Sequence, residues 1–309
     1  MRNLPLLDIP DSCVRYDVPL APLVTWGVGG AARIMFVPRT EEELSRALSW
    51  TYANGAGFFV LGGGSNVLIS DAAFEVPVIN TARMSAITVR ESGDTAYIDC
   101  LAGTPMKEVL AFSLKNGWSG LECAAGIPGT VGGAVAGNAG SKTGSVGSSV
   151  ERIVTLEHDG SRAEWSGHGI EWGYRSCPLF EGEKRIAQSV TFRTKRSSGN
   201  EVARLAAETM RGRKYQPVSA KTAGCVFKNP PGGSAGKLLD ESGCKGISVG
   251  GARVSEVHAN FIENHSGSAL DILSLALLCR NKVLARFGTY LEFEVKLAGA
   301  WEVCPYACA

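Results

Sequence analysis

The chain has 309 residues and a formal net charge of +1. That balance implies no basic surface for nucleic acid or an anionic membrane, so neither partner is expected. The longest apolar stretch, residues 270–279, is far short of the ~20 residues that span a bilayer and reads as a buried helix face.

The length is a soft prior for two domains and is ample for a sizeable core. Glycine is the compositional exception: 38 residues, well above an average share of about 7%. The nine cysteines are odd in number and lack C-x-x-C spacing. The N-terminus shows no basic start followed by an apolar run. These features predict reduced thiols in a cytoplasmic protein. Zinc-type spacing is absent and the four histidines are dispersed, so no metal is expected.

Residues 1–20 carry Pro5, Pro10 and Pro19 and read as an irregular N-terminal extension. Residues 33–37 read as a strand ended by Pro38. Thr40 then reads as an N-cap before Glu41, Glu42 and Glu43, whose charges suit a helix N-terminus. That helix should run to about Asn54 and stop at Gly55. Residues 58–61 form a short buried strand that opens into Gly62-Gly63-Gly64-Ser65-Asn66. Residues 76–194 are mostly short strands, for example 96–100, 153–157 and 186–192. A helix over Met106–Asn116 interrupts them, with Thr104 as its expected cap and Pro105 at its first position. The stretch 126–149 is too rich in glycine and serine to be regular throughout. Residues 193–200 read as a polar linker and 201–213 as a helix. A further helix pair and strands follow, ending with residues 291–297. Residues 301–309 read as a loose tail.

Two familiar phosphate motifs fail on context. Gly27-Val28-Gly29-Gly30-Ala31-Ala32 fits G-x-G-x-x-A, but a strand follows it, not a helix. In Gly140-Ser141-Lys142-Thr143 the lysine is one residue too far from the glycine for a P-loop. Residues 62–66 are stronger. Three glycines after a buried strand expose consecutive N–H groups that suit phosphate oxygens, and Ser65 and Asn66 add donors. A tight turn alone does not require three glycines. A second loop is Gly126-Ile127-Pro128-Gly129-Thr130-Val131-Gly132-Gly133-Ala134. It is apolar where a linker would be polar, so it should lie against something flat or elongated.

This pair of loops resembles the FAD-binding domain of the vanillyl-alcohol-oxidase type. Within that superfamily the chain is similar to the UDP-N-acetylenolpyruvoylglucosamine reductase family. The matching segments are Thr25-Trp26-Gly27-Val28-Gly29-Gly30, residues 62–66 and 126–134, Asn138-Ala139-Gly140, Tyr174-Arg175-Ser176, residues 223–230, Ala235-Gly236-Lys237-Leu238, His258-Ala259-Asn260-Phe261 and Leu291-Glu292-Phe293-Glu294-Val295. Together they cover roughly residues 20 to 299.

The resemblance implies an α+β fold: two subdomains that hold FAD over residues 21–196 and a C-terminal substrate-binding domain over 197–300. It implies cofactor contacts from Gly62, Gly63, Gly64, Ser65, Asn66, Gly126, Ile127, Pro128, Gly129, Thr130, Gly132 and Gly133. Ser65 and Asn66 stand where covalent flavin oxidases commonly carry a histidine, so FAD should be non-covalent. The implied reaction is NADPH-dependent reduction of UDP-N-acetylglucosamine enolpyruvate to UDP-N-acetylmuramate, for peptidoglycan synthesis. Flavin would deliver hydride to the terminal enolpyruvyl carbon. The negative charge left behind needs cationic or hydrogen-bonding groups and an acid.

Arg175 occupies the position of the family's catalytic arginine, and its planar fork suits a carboxylate. Glu294 occupies that of the catalytic glutamate. It alternates with apolar Phe293 and Val295 and would share a strand face with Glu292. Cys225 stands where the family usually has its proton-donating serine. A thiol, with a reference pKa of about 8.5, is a stronger acid than an alcohol. Asn229, Lys245 and His258 match positions that contact the substrate's nucleotide or diphosphate. Tyr215 replaces a family lysine before Gln216-Pro217. The short stretch between Phe180 and Arg193 marks the family's shorter form. A monomer is expected. Two alternatives stay open: an FAD-dependent sugar or alcohol oxidase of the same superfamily, and a catalytically silent nucleotide-binding module.

Overall fold

The computed structural model describes residues 9–182, 185–217 and 219–301. It is a mixed structure of helices and strands, an α+β fold, and the chain divides into two compact units. The first comprises Met1–Tyr16, Ile34–Gly63 and Val76–Lys214. The second comprises Asp17–Arg33, Gly64–Glu75 and Tyr215–Ala309.

In the first unit an antiparallel sheet runs in the order Arg162–Ser166, Val150–Glu157, Arg185–Arg196, Thr95–Leu101, Ile87–Ser92. Thr95–Leu101 shows why such a strand forms. Ala96, Ile98 and Cys100 alternate with partly exposed residues, so one face enters the core. There they meet Met106 and Val109 of helix Met106–Asn116, and Val131 and Val135 of helix Val131–Ala136. A second core holds Phe36, Phe58 and Ile79 against Leu44, Ala47 and Leu48 of helix Glu41–Ala53. Thr40 caps that helix as expected, accepting from the Glu43 N–H at 3.2 Å. Phe59–Leu61 pairs in parallel with Val78–Asn80 and ends at the first glycine loop.

The second unit is built on helix Ala269–Phe287, whose buried residues include Ile272, Leu273, Ala276 and Val283. Ser268 and Asp271 form a capping box at its start. Asp71 accepts from the Ala269 and Leu270 N–H groups at 3.0 and 3.1 Å. Helix Ala235–Glu241 packs on it, beside a three-stranded antiparallel sheet of Ser248–Val249, Ala252–Val254 and Ile262–Asn264. Trp26 lies in the same core. Its indole N–H donates to the Ile262 carbonyl at 2.9 Å, and Asn264 donates to the Trp26 carbonyl at 2.8 Å. The glycines of 27–30 thus serve packing: a Cβ on Gly30 would overlap the Ala72 carbonyl.

Several sequence expectations are corrected. Val14–Pro19 is a strand inside the segment expected to be irregular, because Pro19 sits at its last position and interrupts no ladder. Thr104 does not cap the following helix; its hydroxyl exchanges hydrogen bonds with the Ala86 N–H and carbonyl at 3.2 and 3.0 Å. The expected linker over 193–200 shrinks, since the strand Arg185–Arg196 pairs as far as Lys195 with Thr95 and helix Gly199–Arg211 begins directly after its cap Ser198. That helix belongs to the first compact unit, which runs on to Lys214. Residues 291–295 form no regular strand; Phe293 makes a lone bridge with Phe227, and the regular strand is Lys296–Ala298. Trp301 packs against the second unit's core, while 302–309 lie outside the described residues, as do 1–8 of the expected N-terminal extension.

Candidate active site

In the first unit the two glycine loops meet backbone to backbone. A Cβ on Gly63 would stand 2.8 Å from the Gly129 Cα. One on Gly62 would stand 2.6 Å from the Thr130 hydroxyl oxygen. Glycine here is a requirement of close approach. The Gly62 and Gly63 N–H groups find no acceptor among the described residues. The buried Thr130 hydroxyl likewise has no partner among them. A buried polar group is normally satisfied, so the Thr130 hydroxyl points to a ligand acceptor, with the partly exposed Gly62 and exposed Gly63 N–H groups beside it. They fit the diphosphate of a dinucleotide cofactor. Gly126 is left-handed (φ 73°), and a Cβ on it would meet the Met210 sulfur at 2.5 Å and Arg213 Cδ at 3.0 Å. The last turn of helix Gly199–Arg211 therefore backs the second loop. Gly132 has a packing reason, its Cβ position lying 3.0 Å from that of Ala102. Gly126, Pro128 and Gly133 are exposed, Ile127 and Gly129 partly so.

Gly64, Ser65 and Asn66 belong to the second unit. A Cβ on Gly64 would overlap the Leu23 carbonyl, and the Gly64 carbonyl accepts from the Thr25 N–H at 3.0 Å. Asn66 donates from its side chain to the Glu294 carbonyl at 3.1 Å and accepts from the Lys296 N–H at 3.1 Å. It clasps the segment that carries Glu294.

Arg175 stands at the tip of a turn in the first unit. The N–H groups of Gly173 and Ser176 donate to each other's carbonyls at 3.1 and 3.4 Å. Arg175 has φ 55°, a conformation L residues other than Asn and Asp seldom adopt. Its guanidinium donates to the Gly140 carbonyl at 2.9 Å and lies 5.2 Å from the Tyr174 ring centroid. It is part-buried, and its backbone is the kind of outlier that accompanies function.

In the second unit, Cys225 follows left-handed Gly224 (φ 81°) and is partly buried. The next residues are clamped on both sides. The Val226 N–H donates to the Asn260 carbonyl at 2.9 Å. The Phe227 N–H donates to the Asn260 carboxamide oxygen at 3.0 Å, and the carboxamide N–H returns to the Phe227 carbonyl at 2.8 Å. From the other side the Glu294 N–H donates to the Val226 carbonyl at 2.8 Å, and Phe293 stacks on Phe227 with centroids 5.1 Å apart. Cys225 and Glu294, 69 positions apart in sequence (294 − 225), are thereby brought together. Glu292 turns away to the exposed side and pairs with Lys228 at 3.5 Å. Asn260 was not among the sequence-derived site residues, although its His-Ala-Asn-Phe segment was.

Asn229, Lys245 and His258 gather around helix Ala235–Glu241. The Asn229 carboxamide oxygen accepts from the Ala235 N–H at 3.0 Å. Lys245 pairs with Asp240 at 2.7 Å. A Cβ on Gly236 would stand 2.8 Å from His258 Cε1, so the ring lies on the helix backbone. His258 Nδ1 accepts from the Asn260 N–H at 3.2 Å, and the ring meets Phe261 edge-on at 4.9 Å. Burial pushes its pKa below the ordinary value, aided by the Lys245 charge. Tyr215, in place of a family lysine, is 69% exposed.

The other described cysteines are buried. Burial pushes the Cys123 thiol up to about 11 and the Cys100 thiol up to about 12. The Cys244 and Cys279 thiols hydrogen-bond each other, which lowers Cys244 and raises Cys279. Cys225 alone among the described cysteines is less than fully buried. Among the described residues no cluster of metal-ligating side chains occurs, and no helix is long and apolar enough to cross a membrane.

Comparison with known proteins adds independent findings. Residues 32–161 match the family model of an FAD binding domain. Residues 216–298 match the C-terminal domain of UDP-N-acetylenolpyruvoylglucosamine reductase. The UDP-N-acetylenolpyruvoylglucosamine reductase of Syntrophobacter fumaroxidans is 38% identical over 295 residues, 94% of this chain and 85% of that protein. That of Geobacter metallireducens is 37% identical over 285 residues, 92% of this chain and 93% of that protein. The crystal structure of the Thermus caldophilus reductase superposes with a TM-score of 0.80 at 36% identity, covering 93% of this chain and 100% of that chain. Both glycine loops lie within the matched FAD binding domain and the Cys225–Glu294 clamp lies within the matched C-terminal domain. The chain belongs to the UDP-N-acetylenolpyruvoylglucosamine reductase family and is an FAD-dependent oxidoreductase.

Proposed function

We propose that this protein reduces UDP-N-acetylglucosamine enolpyruvate to UDP-N-acetylmuramate, drawing electrons from NADPH through non-covalent FAD. The observation that carries the site assignment is the backbone clamp that holds Glu294 one residue from the Cys225 segment. Gly62, Gly63, Gly129 and Thr130 would hold the FAD diphosphate through backbone N–H groups and one buried hydroxyl, and the bound cofactor would supply hydride-transfer chemistry between NADPH and the enolpyruvyl group.

Arg175 binds the enolpyruvyl carboxylate and offsets the charge that develops on reduction. Its left-handed backbone supports this role, because that strain persists only where the surroundings impose it. Cys225 donates its thiol proton to the carbon bearing the ether oxygen. Glu294 is the second catalytic group of this segment, held beside Cys225 by the backbone clamp. Asn229, Lys245 and His258 take the nucleotide and diphosphate of the substrate; Lys245 supplies charge and His258 a neutral N–H. The domains follow the same division of labour, with the first unit serving mainly the cofactor and the second the UDP-sugar. The reaction runs in the cytoplasm on a monomer.

The test is an anaerobic visible spectrum of the purified protein. NADPH should bleach the flavin, and UDP-N-acetylglucosamine enolpyruvate should restore it. A flavin that is reduced but not reoxidised by that sugar removes the proposed substrate. Release of hydrogen peroxide with a sugar alcohol would point to an oxidase instead.

A further inference from the structure

Three described residues other than glycine have positive φ: Asp17, Asn138 and Arg175. The last two belong to one hydrogen-bonded assembly inside the first unit. Asn138 has φ 40° and is 5% exposed. Its carboxamide uses both ends: the N–H donates to the Gly173 carbonyl at 2.7 Å, and the oxygen accepts from the Gly147 N–H at 3.1 Å. Gly173 is the first residue of the turn whose tip is Tyr174-Arg175. Two residues beyond Asn138, the Gly140 carbonyl accepts from the Arg175 guanidinium at 2.9 Å. The segment 138–140 therefore grips the turn at its base and at its functional head.

The space around this grip is filled. A Cβ on Gly147 would overlap the Trp172 ring and stand 2.8 Å from the Asn138 carboxamide oxygen. The Trp172 indole N–H is itself tied to the Gly167 carbonyl at 3.0 Å. Behind Asn138, its own N–H donates to the Val135 carbonyl at 3.0 Å, at the end of the helix that follows the second glycine loop. So one continuous piece of chain links the loop at 126–133 to the turn that bears Arg175. A left-handed arginine is unfavourable unless its surroundings impose it, whereas asparagine tolerates that region.

We propose that Asn138 is a positioning residue: its carboxamide holds the Gly173 carbonyl and so keeps Arg175 in the left-handed conformation that aims the guanidinium at the substrate carboxylate. This rests on the reading of Arg175 above. No chemistry is assigned to Asn138 itself. A role confined to folding would leave the two half-reactions in their normal ratio.

The test uses the FAD-loaded full chain and follows the half-reactions separately by stopped flow. Asn138→Gly keeps the left-handed backbone available and removes both side-chain bonds. Asn138→Asp keeps the acceptor for Gly147 but turns an oxygen toward the Gly173 carbonyl. Flavin reduction by NADPH should stay within about twofold of the unsubstituted protein in both variants. Reoxidation by the enolpyruvyl UDP-sugar should slow by about 100-fold, the cost of a misplacement near 1 Å. Combined with Arg175→Ala, Asn138→Gly should slow reoxidation no further than Arg175→Ala alone. Additive losses, or equal slowing of both half-reactions, would overturn the positioning role while leaving Arg175 in place. If Arg175→Ala itself reoxidises normally, the assignment of Arg175 fails and the inference goes with it. Should Asn138→Gly not fold, Asn138→Asp carries the same comparison.

Discussion

The candidate site of the first unit is built of backbone, that of the second of side chains. At Gly62, Gly63, Gly129 and Thr130 two loops touch with almost nothing between them, beside one buried hydroxyl that has no partner among the described residues. Around helix Ala235–Glu241 and beside Cys225 the candidates are a thiol, a glutamate, an ammonium and an imidazole, the first two on clamped backbone and the last two held by their own side-chain bonds. A backbone site fails when any atom is added, because there is no rotamer to move aside. A side-chain site fails by degrees, according to which bond is lost.

The sharpest break is therefore in the first unit. Gly63→Ala places a methyl 2.8 Å from the Gly129 Cα, a backbone atom that cannot step away. The purified variant should carry little or no flavin while its far-ultraviolet circular dichroism stays unchanged; full flavin content would mean the loops do not form the site. Thr130→Val refines the point. It removes a buried hydroxyl that has no partner among the described residues, so the flavin-free protein should lose no stability. FAD affinity should drop about tenfold or more, as for a lost bond to a charged group. Thermal melts with and without FAD separate the two effects.

In the second unit the largest effect is expected at Cys225. Cys225→Ala removes the acid and should slow flavin reoxidation by about 100- to 10,000-fold, the usual range for general acid catalysis. Cys225→Ser should keep part of the rate, since the clamp grips the backbone of residues 226–228 and positions either side chain alike. Alkylation of Cys225 that leaves turnover intact would remove the thiol from the mechanism.

The same contrast decides what could be read without coordinates. Glycine clusters after a buried strand are local signals, and Gly62 and Gly63 were legible because close approach excludes every other residue type. Thr40 and Gly55 were legible for similar local reasons. What escaped depends on distant partners. Nothing in Thr104 announces that its hydroxyl goes to Ala86 and not to a helix N-terminus. The run 291–297 alternates like a strand, yet residues 292–294 bond to 226–228 through an irregular pairing, and only 296–298 find the ladder of Val67–Ile69. Arg193, Lys195 and Arg196 made the stretch look like a linker, but Thr194 between them is buried and the strand backbone pairs throughout. Asn260 was invisible for the same reason: its role lies 33 positions away, at Phe227.

Asn260 offers the next test. Its carboxamide is 2% exposed and satisfies both the N–H and the carbonyl of Phe227. Asn260→Ala strands both groups and should cost about 2–3 kcal/mol of unfolding free energy. Denaturant melts measure this directly. Catalysis should fall as well, because the segment bearing Cys225 loses one of its two holds. An unchanged midpoint would mean water replaces the carboxamide.

The mildest effect is one of pH, and its sign follows from His258. Burial, with help from Lys245, holds the folded-state pKa below the unfolded value, while a backbone hydrogen bond and, less strongly, Asp240 oppose it. Between those two values the unfolded chain binds a proton that the folded chain does not, so stability falls as pH drops below about 6.5 and levels off once both states are protonated. Above that pH the group contributes no slope. His258→Asn should flatten this part of the profile, and Lys245→Met should narrow it from the acid side by removing a like charge that lowers the folded-state value. Ligand binding should respond to pH for a different reason. With Nδ1 accepting from the Asn260 N–H, the neutral ring carries its proton on Nε2 and would meet a ligand as a donor. Titrating UDP into the protein from pH 8 to pH 5.5 should give nearly constant affinity above pH 6.5. A steady tightening as pH falls through 6.5 would instead require an imidazolium at the diphosphate and would overturn the neutral assignment.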